Sequence, residues 1–399
     1  MAVDGSELEL RELTDGDVAE VTLLTRRSFG FPATERPDPD HLPTGQTNHG
    51  AFLGGRLVGQ AFDLHDQQWW GGRLLGSADL AGVAVAPEAR GRGVARALVG
   101  RFLEHARDRG AVVSALFPSI STVYRTFGWA RAGSVDVVEM PASALPSWQL
   151  PPHLVVQEAR PEDIPGVHEL YRRVARARNG MLSRDEVRFE VADDELPSGV
   201  DGITVVLADG EVAGYCTWAR GSGYSRANAS VTTFDLLAAT PNAARALVTV
   251  LGSWRTVVPV VRLRLLRGDG ITDCVPLELG TIHSTRSWMH RPVDVEAAVA
   301  ARGWPVGARG RAVFSIEDRL APWNTGTWAL DVTDGGALLR RTQEDTSVHL
   351  TVNGFAALYC GLANIAVLRE SGHVSGPYDD AAALDVLGTS APPRLLDTF

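Results

Sequence analysis

The chain contains no lysine, so all 38 of its basic side chains other than histidine are arginine, a bias expected of a GC-rich genome. Cysteine is scarce: Cys216, Cys274 and Cys360 lie far apart with no C-x-x-C pair, which excludes a disulfide framework and a zinc site and predicts free thiols in a reducing compartment. The ten histidines form no H-E-x-x-H or comparable pair, so no metal is expected. No apolar run approaches the roughly 18 residues a membrane-crossing helix needs, and the stretch Met1–Glu7 lacks a basic start and an apolar core. No membrane partner and a cytoplasmic location are the expectation. Excess positive charge is also missing: a net charge of -10 argues against nucleic acid as a partner and suits a cationic substrate or plain solubility.

What is present is ordinary globular material, 45% hydrophobic and 22% charged over 399 residues, enough for two or three cores. One stretch organises it. Residues 80–98 read as a buried strand from Leu80 to Val85, a stop at Pro87, a glycine-broken loop, and a helix with Val94, Leu98, Phe102 and Ala106 on one face. Gly91 and Gly93 lack a β-carbon, so the backbone can turn tightly and aim several N–H groups at one point before a helix N-terminus. That is a phosphate cradle. An Arg-Gly surface loop joining strand to helix is the alternative for these residues taken alone.

Ahead of this stretch, Leu8–Phe29 predicts a strand and a helix with Thr14–Asp17 as turn and cap. A Pro- and Asp-rich loop is predicted over 30–49, with Phe29 and Phe31 either lining a pocket or pinning the loop. A hairpin turns at Gly54–Arg56, and Trp69 and Trp70 are placed in a turn before the next strand. After it come an apolar strand over 111–117, a stop at Pro118, and a short helix within Ser119–Phe127 capped at Gly128. From Leu154 the chain starts again: Glu12–Val18 matches Glu158–Ile164, and Gly55–Gly59 matches Gly210–Gly214. The second copy passes from Pro241 to Arg245 with no glycine loop, which predicts a catalytically silent repeat. A third pattern begins near Ser287 with a helix over 293–302, strands follow, and Asn353 is predicted to cap a helix over 354–361. Trp288, Trp304, Trp323, Trp328 and Phe355 either fill a core there or line an apolar tunnel.

The pattern Arg90-x-x-Gly93-x-Ala95 after a Val-x-Val strand resembles the acetyl-coenzyme A loop of GCN5-related N-acetyltransferases (GNAT). It is neither the nicotinamide fingerprint G-x-G-x-x-G nor a P-loop, which ends in Gly-Lys-Ser/Thr. The run 348–361 looks like a sterol-carrier-protein fold. Together with Val83–Pro87, Tyr124–Trp129 and Arg291–Gly303, this order of parts is similar to the enhanced intracellular survival (Eis) family of actinobacterial N-acetyltransferases across essentially the whole chain.

The resemblance implies an α+β fold of two tandem GNAT-like domains, an active one over 1–150 and a degenerate one over 151–288. A sterol-carrier-protein-like domain over 289–399 then delivers the C-terminal carboxylate. It implies acetyl-CoA as co-substrate, primary amines of a small cationic molecule such as an aminoglycoside as acceptors, and a homohexamer built as a trimer of dimers. It makes Tyr124 the general acid and the Phe399 carboxylate the general base, and it assigns coenzyme contacts to Val83, Ala84, Val85, Gly91, Arg92, Gly93, Val94, Ala95, Arg96, Ser119 and Ile120. Chemistry agrees for the acid, since a tyrosine of pKa about 10 can protonate a departing thiolate of pKa about 8.5. The alternatives are a core aromatic for Tyr124 and a helix-shaping role for Ser119 and Ile120. A carboxylate of pKa near about 3.5 also serves as an anchor for a cation. The chain departs from a family member that ends Phe-Glu-Phe and has an early acid: it ends Leu-Leu-Asp-Thr-Phe, and Phe31 occupies the region of that acid. Two other functions compete: acetylation of a peptide lysine or N-terminus, and a non-catalytic acyl-CoA or lipid binder.

Overall fold

In the computed structural model, which describes residues 7–30, 40–190, 195–221, 229–266 and 268–399, the first half opens with strand β1 (Glu9–Glu12) and helix α1 (Val18–Phe29). Three long antiparallel strands follow, β2 (Gln46–Leu53), β3 (Arg56–Trp70) and β4 (Arg73–Val85). The expected long loop therefore ends at Gly45, and Phe31 lies outside the described residues. Trp69 and Trp70 close strand β3 instead of sitting in a turn, because the reversal falls on Gly71 and Gly72, with φ of 59° and 77°. A side chain at Gly71 is excluded as well, since its β-carbon would lie 2.1 Å from the Gly303 carbonyl oxygen.

Helix α2 (Val94–Asp108) buries Val94, Leu98, Phe102 and Ala106 against this sheet, the face its spacing predicts. At about 1.5–3 kcal/mol for each large buried side chain, that stripe fixes the helix and with it the loop at its head. Strand β5 (Val113–Leu116), helix α3 (Ser121–Thr126) and strand β6 (Ala130–Pro141) complete the half.

The repeat supplies β7 (Leu154–Glu158), α4 (Ile164–Arg176), β8 (Gly202–Ala208), β9 (Glu211–Arg220), β10 (Ser230–Ala238), α5 (Pro241–Ser253), β11 (Val260–Leu265) and β12 (Thr281–Pro292). Helix α5 follows its strand directly, with Thr240 as N-cap, and no glycine loop intervenes. The twelve strands form one sheet in the order β1-β2-β3-β4-β5-β12-β6-β11-β10-β9-β8-β7. The halves exchange strands: β12 pairs with β5 from Met289↔Leu116 to Pro292↔Val113, while β6 pairs with β11 from Val260↔Pro141 to Leu265↔Asp136. Residues 287–292, read from sequence as the start of the third unit, thus lie in the shared sheet, where Trp288 and Met289 are fully buried.

The last part packs α6 (Val295–Ala301), β13 (Gly310–Glu317), β14 (Gly326–Thr333), β15 (Gly336–Arg341), β16 (His349–Thr351), α7 (Val352–Tyr359), α8 (Ile365–Glu370), β17 (Val374–Ser375) and α9 (Tyr378–Ala382) around a five-stranded sheet. Trp288, Trp304, Trp328 and Phe355 join one buried cluster, and Trp323 packs on the neighbouring one, so they fill cores. The cap of α7 is Thr351, whose hydroxyl accepts the Gly354 N–H at 3.1 Å. Asn353, expected there, instead reaches back to the first half. All three cysteines are free.

Candidate active site

Strands β4 and β5 run parallel but pair only at Ser77↔Val113. Two residues on, Asp79 Oδ1 accepts the Ala115 N–H at 3.2 Å and the Ser77 hydroxyl at 2.5 Å, and the strands part. At Gly82, φ is 58° and the ladder to β3 is broken by a bulge. Beyond the bulge Ala84 and Val85 pair with Gln60 and Gly59 of β3, which leaves the other edge of residues 83–85 turned toward the fork. A linear amide-bearing ligand can pair with that edge as a neighbouring strand would.

At the head of α2, Gly91 and Gly93 take φ of 75° and 80°, and a β-carbon on either would meet nothing within 4 Å. The first helical bond is from the Ala97 N–H to the Gly93 carbonyl at 3.0 Å, so the N–H groups of Val94, Ala95 and Arg96 have no acceptor within the helix. The first turn contains no acidic residue, and Arg90, Arg92 and Arg96 are exposed around it. Open space, free donors and positive charge converge there, the requirements of a pyrophosphate site. Arg90 also donates from Nε to the Val85 carbonyl at 3.3 Å, tying the loop to the strand.

Ser119 and Ile120 are exposed at the entrance to α3, and Tyr124 sits half-buried on that helix with its ring edge-on to Phe127 and Trp129, each at 6.4 Å. Burial holds the Tyr124 hydroxyl above its ordinary value, so it is protonated at neutral pH. Val83, Val85, Ala95 and Tyr124 all border one apolar core. The end of α3 is braced by the third domain: Asn353 Nδ2 donates to the Arg125 and Trp129 carbonyls at 3.0 and 3.1 Å. Arg291 of β12, paired with Asp318, donates to the Phe127 carbonyl and lies 5.0 Å over the Trp129 ring. Phe399 lies beside Phe117, just past β5, its ring edge-on at 5.2 Å with the Arg188 guanidinium 5.7 Å from its centre, and it packs on a different core from the one Tyr124 borders.

Several residues here had no sequence signal. Arg188 forks onto Asp66 with two 2.7 Å bonds, and Asp66 neighbours Asp79 on the same sheet face. Burial, and then the Asp66 charge, push the Asp79 carboxyl well above the usual carboxylate range. A protonated Asp79 leaves one negative charge for Arg188, and its otherwise unpartnered Oδ2 becomes a donor toward Asp66. Elsewhere His49, Asp63 and His105 bring ligand-type atoms within 4.8 Å of one another. Both Asp63 oxygens are already held by Arg109, at 2.9 and 2.7 Å, so the carboxylate charge there is neutralised by the protein itself. These contacts join residues distant in sequence, which is why local patterns miss them.

Comparison with known proteins identifies the three domains. Two family models described as acetyltransferase (GNAT) domain match residues 9–132 and 180–292, and a sterol carrier protein domain model matches residues 295–395. An uncharacterized N-acetyltransferase of Streptomyces coelicolor is 30% identical over 76% of each chain, and one of Streptomyces griseus is 26% identical over 98% of this chain and all of its own. Among solved structures, a GCN5-related N-acetyltransferase from Kribbella flavida is 29% identical, with a TM-score of 0.81 over 99% of both chains. Eis1 from Mycobacterium abscessus is 25% identical, with a TM-score of 0.76 over 98% of this chain and all of that one.

Proposed function

The chain belongs to the GNAT N-acetyltransferases, and from that premise we propose that it moves the acetyl group of acetyl-CoA to a primary amine of a small cationic molecule of aminoglycoside type. The observation that carries this reading is the fork itself: one strand edge left free at Val83, Ala84 and Val85, an open arginine-rimmed helix head, and a protonated phenol on the adjoining helix. The pyrophosphate is bound by the N–H groups of Gly91–Arg96 with Arg92 beside them, the pantetheine amides pair along Val83–Val85, and Ser119 and Ile120 flank the thioester end.

Tyr124 is the general acid and the carboxylate of Phe399 the general base. The amine gives a proton to that carboxylate and attacks the thioester carbonyl, and the tetrahedral adduct collapses with cleavage of the C–S bond. The thiolate takes the Tyr124 proton, giving an amide and coenzyme A. The negative net charge favours a cationic acceptor.

Similarity to Eis1 supports an Eis-like enzyme, and with it we infer activity in the first domain, a silent second domain, a homohexamer and work in the cytoplasm. A coupled thiol-release screen of the purified protein over aminoglycosides, polyamines and lysine peptides tests the acceptor. Release that depends on aminoglycosides supports the reading, and release with peptides alone replaces it with a peptide acetyltransferase. Sedimentation mass tests the hexamer.

A further inference from the structure

The silent repeat keeps a fork of its own. Strands β10 and β11 pair in parallel only from Ser230↔Val260 to Thr232↔Arg262, and the next residue, Thr233, accepts the Arg264 N–H on its hydroxyl at 3.2 Å where the strands part. No glycine loop stands above this fork, so nothing there is shaped for a pyrophosphate. It is filled instead by the end of the chain. Leu396 is 1% exposed and packs in one cluster with Leu237 and Leu266, and its carbonyl accepts Arg264 Nη1 at 3.1 Å. Upstream, the Arg394 N–H reaches the Asn179 carbonyl at 2.7 Å, and Asn179 Nδ2 reaches the Ala391 carbonyl at 2.8 Å.

Arg184 is the hub. Its guanidinium donates to Asp397 at 2.8 Å and, with two bonds of 2.5 and 2.9 Å, to Asp235 on β10, and it stacks 3.9 Å over the Tyr171 ring. The Tyr171 hydroxyl lies 3.1 Å from the other Asp397 oxygen, and Tyr215 donates to Asp235 at 2.8 Å. Burial alone would push the Asp235 carboxyl up, but the Arg184 charge and hydrogen bonds bring it below its ordinary value, so the ion pairs persist at neutral pH. Arg184 also holds φ of 61°, a left-handed conformation that a non-glycine residue keeps only where surrounding contacts determine it.

We propose that the second domain is a dock for the chain's own tail: its fork, which has no glycine loop, has become a groove for residues 394–398, and Arg184 and Asp397 are positioning residues that set Phe399 against Phe117. The grip is built from an arginine forked onto Asp235 that also holds Asp397, and a buried leucine, rather than from loose surface contacts, so it holds the tail in place. The catalytic consequence rests on the reading of Phe399 as the base; the docking does not.

The test uses the full chain with Asp397→Ala, which removes the tail's ion pair while leaving Arg184 and Asp235 joined inside the second domain. Hydrogen exchange at the amides of residues 394–398, among them the Arg394 N–H held by the Asn179 carbonyl, is followed by mass spectrometry, beside thiol release from acetyl-CoA with the best amine of the screen. Exchange at the tail is expected to quicken at least about tenfold, the change that loss of one charge-assisted contact brings, with the β10 amides unaltered. The kcat is expected to fall by a similar factor with the KM for acetyl-CoA within threefold. Arg184→Lys, which keeps the charge but cannot fork onto two carboxylates, should give an intermediate exchange rate. Unchanged tail exchange in Asp397→Ala overturns the dock. A loosened tail with full kcat upholds the dock and overturns Phe399 as the base.

Discussion

Asp79 and Thr233 hold equivalent places in the two halves of the chain: each side chain accepts the N–H of the neighbouring strand, Ala115 for one and Arg264 for the other, at 3.2 Å, where a parallel pair opens. The fork is thus an inherited construction, closed at its root by a side-chain acceptor. One copy opens on the glycine loop at the head of α2, and beside the other lie Leu396 and Asp397. The first copy uses a carboxyl group at this root, with a second acid, Asp66, beside it, whereas the second uses a hydroxyl.

Asp79→Asn keeps the acceptor for Ala115 and supplies an N–H toward Asp66, whereas Asp79→Ala strands the Ala115 N–H at a cost of about 1–3 kcal/mol. Because the folded protein holds the Asp79 proton above the unfolded value of about 3.9, wild-type stability from this group is complete below that pH and drains away as pH rises through the raised value. Urea unfolding of wild type and Asp79→Asn at pH 5 and pH 8 should therefore show the asparagine variant gaining on wild type at the higher pH. A difference independent of pH would mean that Asp79 is ionised in the fold.

Gly82→Ala places a β-carbon 2.3 Å from the Phe62 ring at a residue with φ of 58°. Both the clash and the left-handed backbone act against it, for a loss of about 2 kcal/mol or more. The bulge that turns residues 83–85 toward the fork goes with it. Thermal unfolding should fall by several degrees, and the KM for acetyl-CoA should rise.

Two buried histidines set the acid limit. Burial lowers His49 to about 4 and His290 to about 3, so in the window below the unfolded value of about 6.5 the unfolded chain takes up protons that the fold refuses. Stability should decline as pH falls from 6.5 toward 4, each histidine adding up to about 1.4 kcal/mol per pH unit. His49→Gln should flatten the decline measured by urea unfolding, and an equal slope in that variant would place the acid sensitivity elsewhere.

The strand, glycine loop and helix that the reading makes a cradle were legible because they are local. Val83 to Arg96 carry strand, stop, glycines and amphipathic helix within one short stretch, and the structure puts Gly91 and Gly93 in the left-handed conformation the reading requires. The repeat was legible for the same reason. The exchange of β6 and β12 was not, because a strand's pattern states which face is buried and says nothing about which partner lies beside it. Nor was the Arg184–Asp235–Asp397 grip, whose members stand 51 and 213 positions from the arginine. At α7 the cap was misplaced by two residues, since Thr351 and Asn353 are both good caps and only tertiary contact draws Asn353 away to the end of α3.

The central claim is that coenzyme A lies in the first fork with its thioester beside Tyr124. The direct test is Tyr124→Phe, assayed for thiol release with the preferred amine while calorimetry follows acetyl-CoA binding. The account predicts unchanged binding and a kcat lower by about two to four orders of magnitude. Binding lost together with activity, or turnover within threefold of wild type, would contradict it.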